Sequence, residues 1–285
     1  MNAFLSELGR KLAERWITLL VLPGALFTAL AGAGLLLGQR DALGLRRLGR
    51  LAEGFAARYD HRPGAAVVLL CGVFAAGAVT GLLARGLGAA VEKVWLLAGP
   101  PWLTGRLVSR RQDRWARADA AARLAGPAEE AALVAARNAI ALVPPARPTW
   151  IGDRLRGVGL RVHGQYGLDL AFTWPRLWPL LPEACRNDLI AARQAMADAA
   201  TLGGWGLLYL CLGVQWWPAA LGGVVLLLMG WGRGRDAAGN LADLTESAVD
   251  LYAADLARSL GAALPLGRVT PALGRQLSER FRKGA

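Results

Sequence analysis

Charged side chains are absent from three long stretches, residues 16–39, 63–84 and 199–232, and crowd the segments between them. The run over 16–38 is 23 residues, which as a helix covers about 35 Å and crosses a hydrocarbon core of about 30 Å. Trp16 anchors its start. A second span over 65–84 closes a hairpin with it. The third stretch is 34 residues long, about 51 Å as one helix, so Gln215-Trp-Trp-Pro218 is predicted to turn at the far surface. Its two arms, 16 and 14 residues, reach only about 24 and 21 Å. Each arm therefore takes up flanking polar residues by snorkelling, or the hairpin dips into the bilayer without fully spanning.

The polar segments carry their own periodicity. Phe4, Leu5, Leu8, Leu12 and Ala13 share one helical face opposite Glu7, Arg10, Lys11 and Glu14, as in an interfacial lead-in helix. Positive residues ahead of the first span and the small run at 29–33 also fit a cleaved signal peptide, although the apolar run is longer than a usual signal core. Leu43, Leu45, Leu48, Leu51 and Phe55, among six Arg and three acids, suggest a short amphipathic helix on the bilayer surface. Gly77 and Gly81, like Gly34 and Gly38, form a small-xxx-small pair that serves either oligomerisation or packing within the chain.

Beyond Arg85 the second helix is expected to run on through Trp95 to a break at Gly99-Pro100-Pro101. Residues 103–124 then place Arg106, Arg110, Arg111, Arg114 and Arg117 at helical spacing, with Leu107, Val108 and Trp115 available for an apolar side. These five arginines either contact anionic phospholipid or form a solvated face that obeys the positive-inside bias. No nucleic-acid recognition motif accompanies them. A further helix is predicted from near Pro127, with Glu129 and Glu130 in its first turn, ending before Val143-Pro144-Pro145. Pro182 and Glu183 open a long helix reaching about Gln215. Leu241, Leu244, Ala248 and Leu251 mark another, and Thr270-Pro271 is a cap and first position for a last helix carrying Leu273, Leu277 and Phe281.

Composition narrows the chemistry. The chain is 285 residues, 54% hydrophobic, with a net charge of +12, enough for one membrane domain and one modest polar domain. Only Lys11, Lys93 and Lys283 among its 33 basic residues are not Arg, a bias of high-GC genomes rather than a signature of phosphate recognition. Cys71, Cys185 and Cys211 show no CxxC or Cys/His spacing, so no disulfide or zinc site is expected. His61 and His163 are the only histidines, too few for a metal centre or a hydrolytic triad. We expect no cofactor, no metal and no catalysis. The tryptophans at 95, 102, 205, 216, 217 and 231 fit interface anchoring better than a cofactor cage.

The most distinctive stretch is 148–183, where Trp150, Tyr166, Trp174 and Trp178 are interleaved with Asp153, Arg154, Arg156, Asp169 and Arg176. Its prolines and aromatics predict a compact knot rather than a regular helix. The nine residues either lock that knot by bidentate pairs and cation-π contacts, or line a ligand or partner pocket suited to a phosphate or lipid headgroup. His163 is an ordinary hydrogen-bonding residue or a base. Asp198 is an ion-path residue or an interfacial acid paired with Arg193 or Arg85.

Pro148, Thr149, Gly152, Asp153, Leu155 and Arg156, then Tyr166, Gly167 and Asp169, then Trp174, Pro175, Arg176, Leu177, Leu181 and Pro182 carry a resemblance. The segment resembles a family of multi-span membrane proteins of actinobacteria, Streptomyces-like, to which no activity is attached. The resemblance implies the architecture and no function.

The expected fold is all-α, a helical integral membrane protein with two transmembrane hairpins bracketing a helical cytoplasmic domain. Its parts are 1–98, an N-terminal hairpin with amphipathic lead-in; 99–192, the cytoplasmic helices; 193–235, a C-terminal hairpin; and 236–285, further cytoplasmic helices. Sixteen basic residues over 85–193 and eight from Arg233 onward place the polar domain in the cytoplasm of a bacterial cell, with the chain multi-pass in its inner membrane. Four spans then put the 39–64 loop outside with its six Arg, against the same rule; a shallow first hairpin would remove the conflict, whereas the length of the first span argues for crossing. The leading expectation is a non-enzymatic scaffold or interaction protein with anionic-lipid contacts, able to form homo-oligomers and to dock a cytoplasmic protein, without nucleic acid. The alternative is an oligomeric ion channel of bestrophin-like layout, an analogy of architecture alone.

Overall fold

Proline and glycine set many of the helix ends. In the computed structural model, which describes residues 22–39, 41–44, 46, 49–50, 53–54, 63–264 and 267–283, the chain is all-α, with no strand among those residues. The lead-in helix expected over 1–15, the start of the first span and most of the amphipathic segment of 39–62 lie outside the described residues.

The helices are α1 (Leu22–Leu37), α2 (Pro63–Leu96), α3 (Pro101–Leu124), α4 (Glu130–Ile140), α5 (Trp150–Tyr166), α6 (Leu170–Leu177), α7 (Glu183–Gly213), α8 (Trp217–Ser259) and α9 (Pro271–Arg282), with one 3-10 turn over Trp178–Leu180. By length and composition α2, over Val67–Leu96, and α7 are long and apolar enough to cross a membrane, and α1 is a shorter apolar helix. The chain divides into two compact units. The first comprises 1–91 and 198–231, the second 92–197 and 232–285, with the boundaries falling inside α2, α7 and α8.

Glycine packing builds the first unit. A Cβ on Gly204 would collide with the carbonyl oxygen of Ala84, and one on Gly88 would sit 2.7 Å from Cα of Thr201, so α2 and α7 touch backbone to backbone. Gly206 and Gly223 bring α7 equally close to α8, where a Cβ on Gly223 would lie 2.8 Å from the Gly206 oxygen. Gly213 opposite Ala220, and Gly230 opposite Ala199 and Gly203, make that pair antiparallel. Gly24 of α1 meets the backbone of Gly77, so the Gly77 position of the small-xxx-small pair is used within the chain. Gly34 lies against Trp216, while Gly38 ends α1 in the left-handed region at φ 65° and its N–H donates to the Gly34 carbonyl at 2.9 Å.

The turn at 214–216 is tied to the end of α1. The Gln39 amide nitrogen donates to the carbonyls of Gly213 and Val214 at 3.2 and 2.7 Å, its oxygen accepts the Trp217 N–H at 3.1 Å, and Trp216 Nε1 donates to the Ala42 carbonyl at 2.9 Å. Of the six tryptophans expected at an interface, Trp95 and Trp205 are buried, the latter with its ring 6.1 Å from Phe27, while Trp102 and Trp217 are exposed.

The second unit has a conventional core. Val158 and Val162 of α5, Leu177 of α6, Leu189 of α7, Val249 and Leu256 of α8, and Leu277 and Phe281 of α9 are all buried together. Here the structure corrects one expectation: within the 148–183 stretch, Trp150–Tyr166 is no knot but a regular helix, α5, of 17 residues. Its apolar positions, Ile151, Leu155, Val158 and Val162, recur at helical spacing, and four interspersed glycines hide the pattern. Gly152 is needed there, since a Cβ would press within 3.0 Å of the Trp95 carbonyl oxygen. Both ends of α5 are capped. Thr149 accepts the Gly152 N–H at 3.0 Å, and Gly167, at φ 69°, closes the helix by donating to the His163 carbonyl at 2.8 Å. A second correction concerns α8, which runs unbroken for 43 residues where separate elements were expected on either side of residue 235. Gly234 within it faces the Trp95 ring at 2.6 Å from its Cβ position, so packing by a large aromatic offsets weak helix propensity.

Candidate functional site

The nine residues singled out on 148–183 do not converge on one pocket. They point from α5 and α6 toward three different neighbours. Asp153 is buried, with its side chain 1% exposed, and faces the segment that joins α4 to α5. Its Oδ1 accepts the backbone N–H groups of Ala146 and Arg147 at 2.8 and 2.9 Å, and its Oδ2 accepts from Arg111 Nη2 at 2.9 Å. Arg156 adds a longer contact at 3.8 Å and donates to the Pro144 carbonyl at 3.3 Å. A buried carboxylate costs several kcal/mol in desolvation unless its charge is matched and its lone pairs are occupied, on the order of 3–5 kcal/mol if one partner is removed. Asp153 meets both conditions.

Arg111 thereby leaves the set of five arginines proposed for lipid: its guanidinium is turned inward to Asp153 and to the Ile140 carbonyl at 3.2 Å. Around it, Gln112 donates to the Pro145 carbonyl and Trp115 Nε1 to the Ala141 carbonyl, each at 2.9 Å. Further along α3, Asp119 accepts from Arg137 of α4 at 2.9 Å and from Arg123 at 2.7 Å. The Arg137 hydrogen bond, ahead of a smaller opposing effect of burial, holds the Asp119 carboxyl below the ordinary carboxylate range. Arg106, Arg110, Arg114 and Arg117 are exposed.

On a second side α5 meets α8. Arg154, 9% exposed, pairs with Asp243 and reaches Glu246 at 3.5 Å, and Arg161 approaches Glu246 at 3.2 Å. Trp150 carries the guanidinium of Arg235 over its ring at 4.7 Å. Two open clefts of about 350 and 560 Å³ flank Trp150 and share Asp243 in their walls. At the end of α5, Tyr166 donates to Asp250 Oδ1 at 2.8 Å. Desolvation, reinforced by that carboxylate, pushes the phenol up to about 12.

The third neighbour is α9. Asp169 caps α6 by accepting the Ala171 N–H at 3.1 Å and pairs with Arg282 at 3.0 Å. Arg176 donates to the Phe172 carbonyl at 2.6 Å and lies over the Phe281 ring at 4.4 Å. Trp174 and Trp178 stack on each other at 5.9 Å, tilted by 52°. Ser278 ties the junction, donating to the Gly274 carbonyl at 2.8 Å while its oxygen accepts the Asp169 N–H at 2.9 Å. A Cβ on Gly167 would collide with the Pro271 carbonyl, and one on Gly274 with that of Tyr166, so α5 and α9 are in backbone contact there.

No protein-family model matches this chain, and no curated protein or solved structure does. Among the described residues no group of three His, Cys, Asp or Glu could hold a metal ion. His163 is exposed near the end of α5. Sequence reasoning missed Asp243, Glu246 and Asp250. Their signal was present, because Arg154 and Arg161 are seven apart on α5 and Asp243 and Asp250 are seven apart on α8, matching stripes of opposite charge.

Proposed function

We propose that the protein is a non-enzymatic, multi-pass protein of the bacterial cytoplasmic membrane, whose first unit is embedded in lipid and whose second is a cytoplasmic helical scaffold. One observation carries this reading: the large aliphatic side chains of the first unit point outward. Val68 is 72% exposed, Leu228 67% and Leu35 66%, with Leu70, Leu82, Leu221 and Val225 all above half. An apolar surface of that kind is unfavourable in water at about 25 cal/mol per Å² and is satisfied by hydrocarbon. The glycine contacts of α2, α7 and α8 support the same reading, since small residues drive helix association where lipid removes the hydrophobic incentive.

Four spans, formed by α1, the first part of α2, the last part of α7 and the first part of α8, make two transmembrane hairpins. The positive-inside bias favours the cytoplasm for the second unit, and the hydrogen bonds of Gln39 and Trp216 favour a shared external face for the end of α1, Ala42 and the 214–217 turn. An external loop after α1, with six arginines in the sequence over 39–62, departs from the bias. In the second unit the charged groups of α5 and α6 fasten helices, which suits a rigid docking platform for a protein partner or a second copy of the chain.

Native mass spectrometry with particle imaging of the protein in lipid nanodiscs tests the scaffold. A monomer or small oligomer without an axial opening is the expected result. A closed ring of four or more copies that conducts ions would replace the scaffold with a channel.

A further inference from the structure

The arginines left on the surface of α3 form a patterned strip. At about 100° per residue, Trp102, Arg106, Arg110, Arg117 and Leu124 fall within about 80° of the helix circumference. All five are exposed, Trp102 at 83% and Leu124 at 88%, among the most exposed large apolar side chains of the described residues. Arg114 borders the strip and adds a fourth positive charge, against one acid, Asp113. The opposite face is occupied: Asp119 and Ala122 are buried, and Arg111, Gln112 and Trp115 bond to the last residue of α4 and the segment after it. Folding therefore consumes one side of α3 and leaves a cationic strip ended by an indole and a leucine.

We infer that this strip docks on an anionic phospholipid surface, with Arg106, Arg110 and Arg117 on the headgroups and Trp102 at headgroup depth. The inference rests on the membrane reading above. Charge selects the occupant, because four guanidiniums with one carboxylate seek a polyanion. The apolar residues at its two ends decide between polyanions. A tryptophan and a leucine at the ends of an arginine row suit the amphipathic headgroup layer, whereas single-stranded nucleic acid calls for an array of aromatics on which successive bases stack. Sequence proximity adds to this, since α3 begins five residues after the apolar helix α2 ends at Leu96. Each arginine strengthens docking about five-fold at low salt, and the effect is screened as salt rises.

The test uses the full chain in nanodiscs of phosphatidylcholine alone or mixed equally with phosphatidylglycerol, with native cysteines replaced as needed by Ala. An environment-sensitive fluorophore is placed either at Ala120→Cys, on the strip, or at Cys71 of α2. With nitroxide-bearing lipids, the Ala120→Cys label is expected to be quenched strongly in the phosphatidylglycerol discs and weakly in the neutral ones. Combined Arg106→Glu, Arg110→Glu and Arg117→Glu substitution should abolish that difference. The Cys71 label should be quenched in both discs regardless of those substitutions. Quenching at Cys71 without lipid-dependent quenching at residue 120 overturns the inference and leaves the membrane reading standing. Loss of quenching at Cys71 overturns the membrane reading itself. A response of the residue 120 label to an RNA oligonucleotide, and none to phosphatidylglycerol, assigns the strip to nucleic acid and overturns the inference.

Discussion

Arg111 and Asp153 meet at 2.9 Å across 42 residues of sequence, the carboxylate 1% exposed and the guanidinium 19%. This pair joins α3 to α5 and makes Arg111 different in kind from Arg110 beside it and Arg114 one turn on.

Replacing Arg111 with Ala leaves the buried Asp153 charge with only the longer 3.8 Å contact to Arg156. Stability should fall by roughly 3–5 kcal/mol, whereas Arg110→Ala, an exposed change, should stay within about 0.5 kcal/mol. Thermal unfolding of the two variants in the same detergent checks this. Equal melting temperatures would show that the pair does not hold the unit together.

Backbone contact between α2 and α7 has no room for a side chain at Gly204. Gly204→Val should cost about 1–3 kcal/mol and broaden the elution profile on size exclusion, because the colliding group is the Ala84 carbonyl and cannot rotate away. Gly222 of the same unit meets nothing within 4 Å, so Gly222→Ala should be neutral or stabilise the helix by up to about 1 kcal/mol.

Tyr166 should titrate late. Its folded phenol is raised to about 12 from an ordinary value of 10.0, so between those limits the folded state binds more protons than the unfolded one. The stabilisation from this group is therefore complete below pH 10 and is lost as pH rises toward 12. The phenolate absorbance difference between the native protein and Tyr166→Phe should appear only near pH 12. A step near pH 10 in the folded protein would refute the hydrogen bond to Asp250.

At the acid end the sign is reversed. Asp119 is held below the ordinary carboxylate range by Arg137, so its contribution is present at neutral pH and disappears as pH falls through the folded value. Asp119→Asn should lower stability at pH 7 and narrow the gap to the native protein as the medium is acidified. Unfolding curves at a series of pH values measure that convergence.

Local signals in the sequence were readable and long-range ones were not. Thr270 and Pro271 stand at the cap and first position of α9, as the residue types require, and Leu277 and Phe281 are buried on its inner face. The Gly99 break and the turn before Trp217 follow from the same local chemistry. The helical register of α5 was obscured because glycines occupy the positions where backbones meet, which removes the side chains that periodicity relies on. Arg111 looked like its neighbours because the carboxylate that claims it lies on another helix. The Gly203-Gly204-Trp205-Gly206 cluster was equally silent, since a glycine's contact is defined by what approaches it.

Cys71 gives the most direct test of the central claim, that the first unit is embedded in lipid. The thiol is exposed on α2 beside Leu70 and Phe74, which are 56% and 44% exposed. A thiol surrounded by hydrocarbon is out of reach of a water-soluble reagent. In sealed membranes carrying Cys71 as the sole cysteine, a membrane-impermeant maleimide applied to either side should leave it unlabelled. A Ser247→Cys control on the exposed surface of α8 should react, and detergent unfolding should release Cys71. Rapid labelling of Cys71 in the intact membrane would contradict the account.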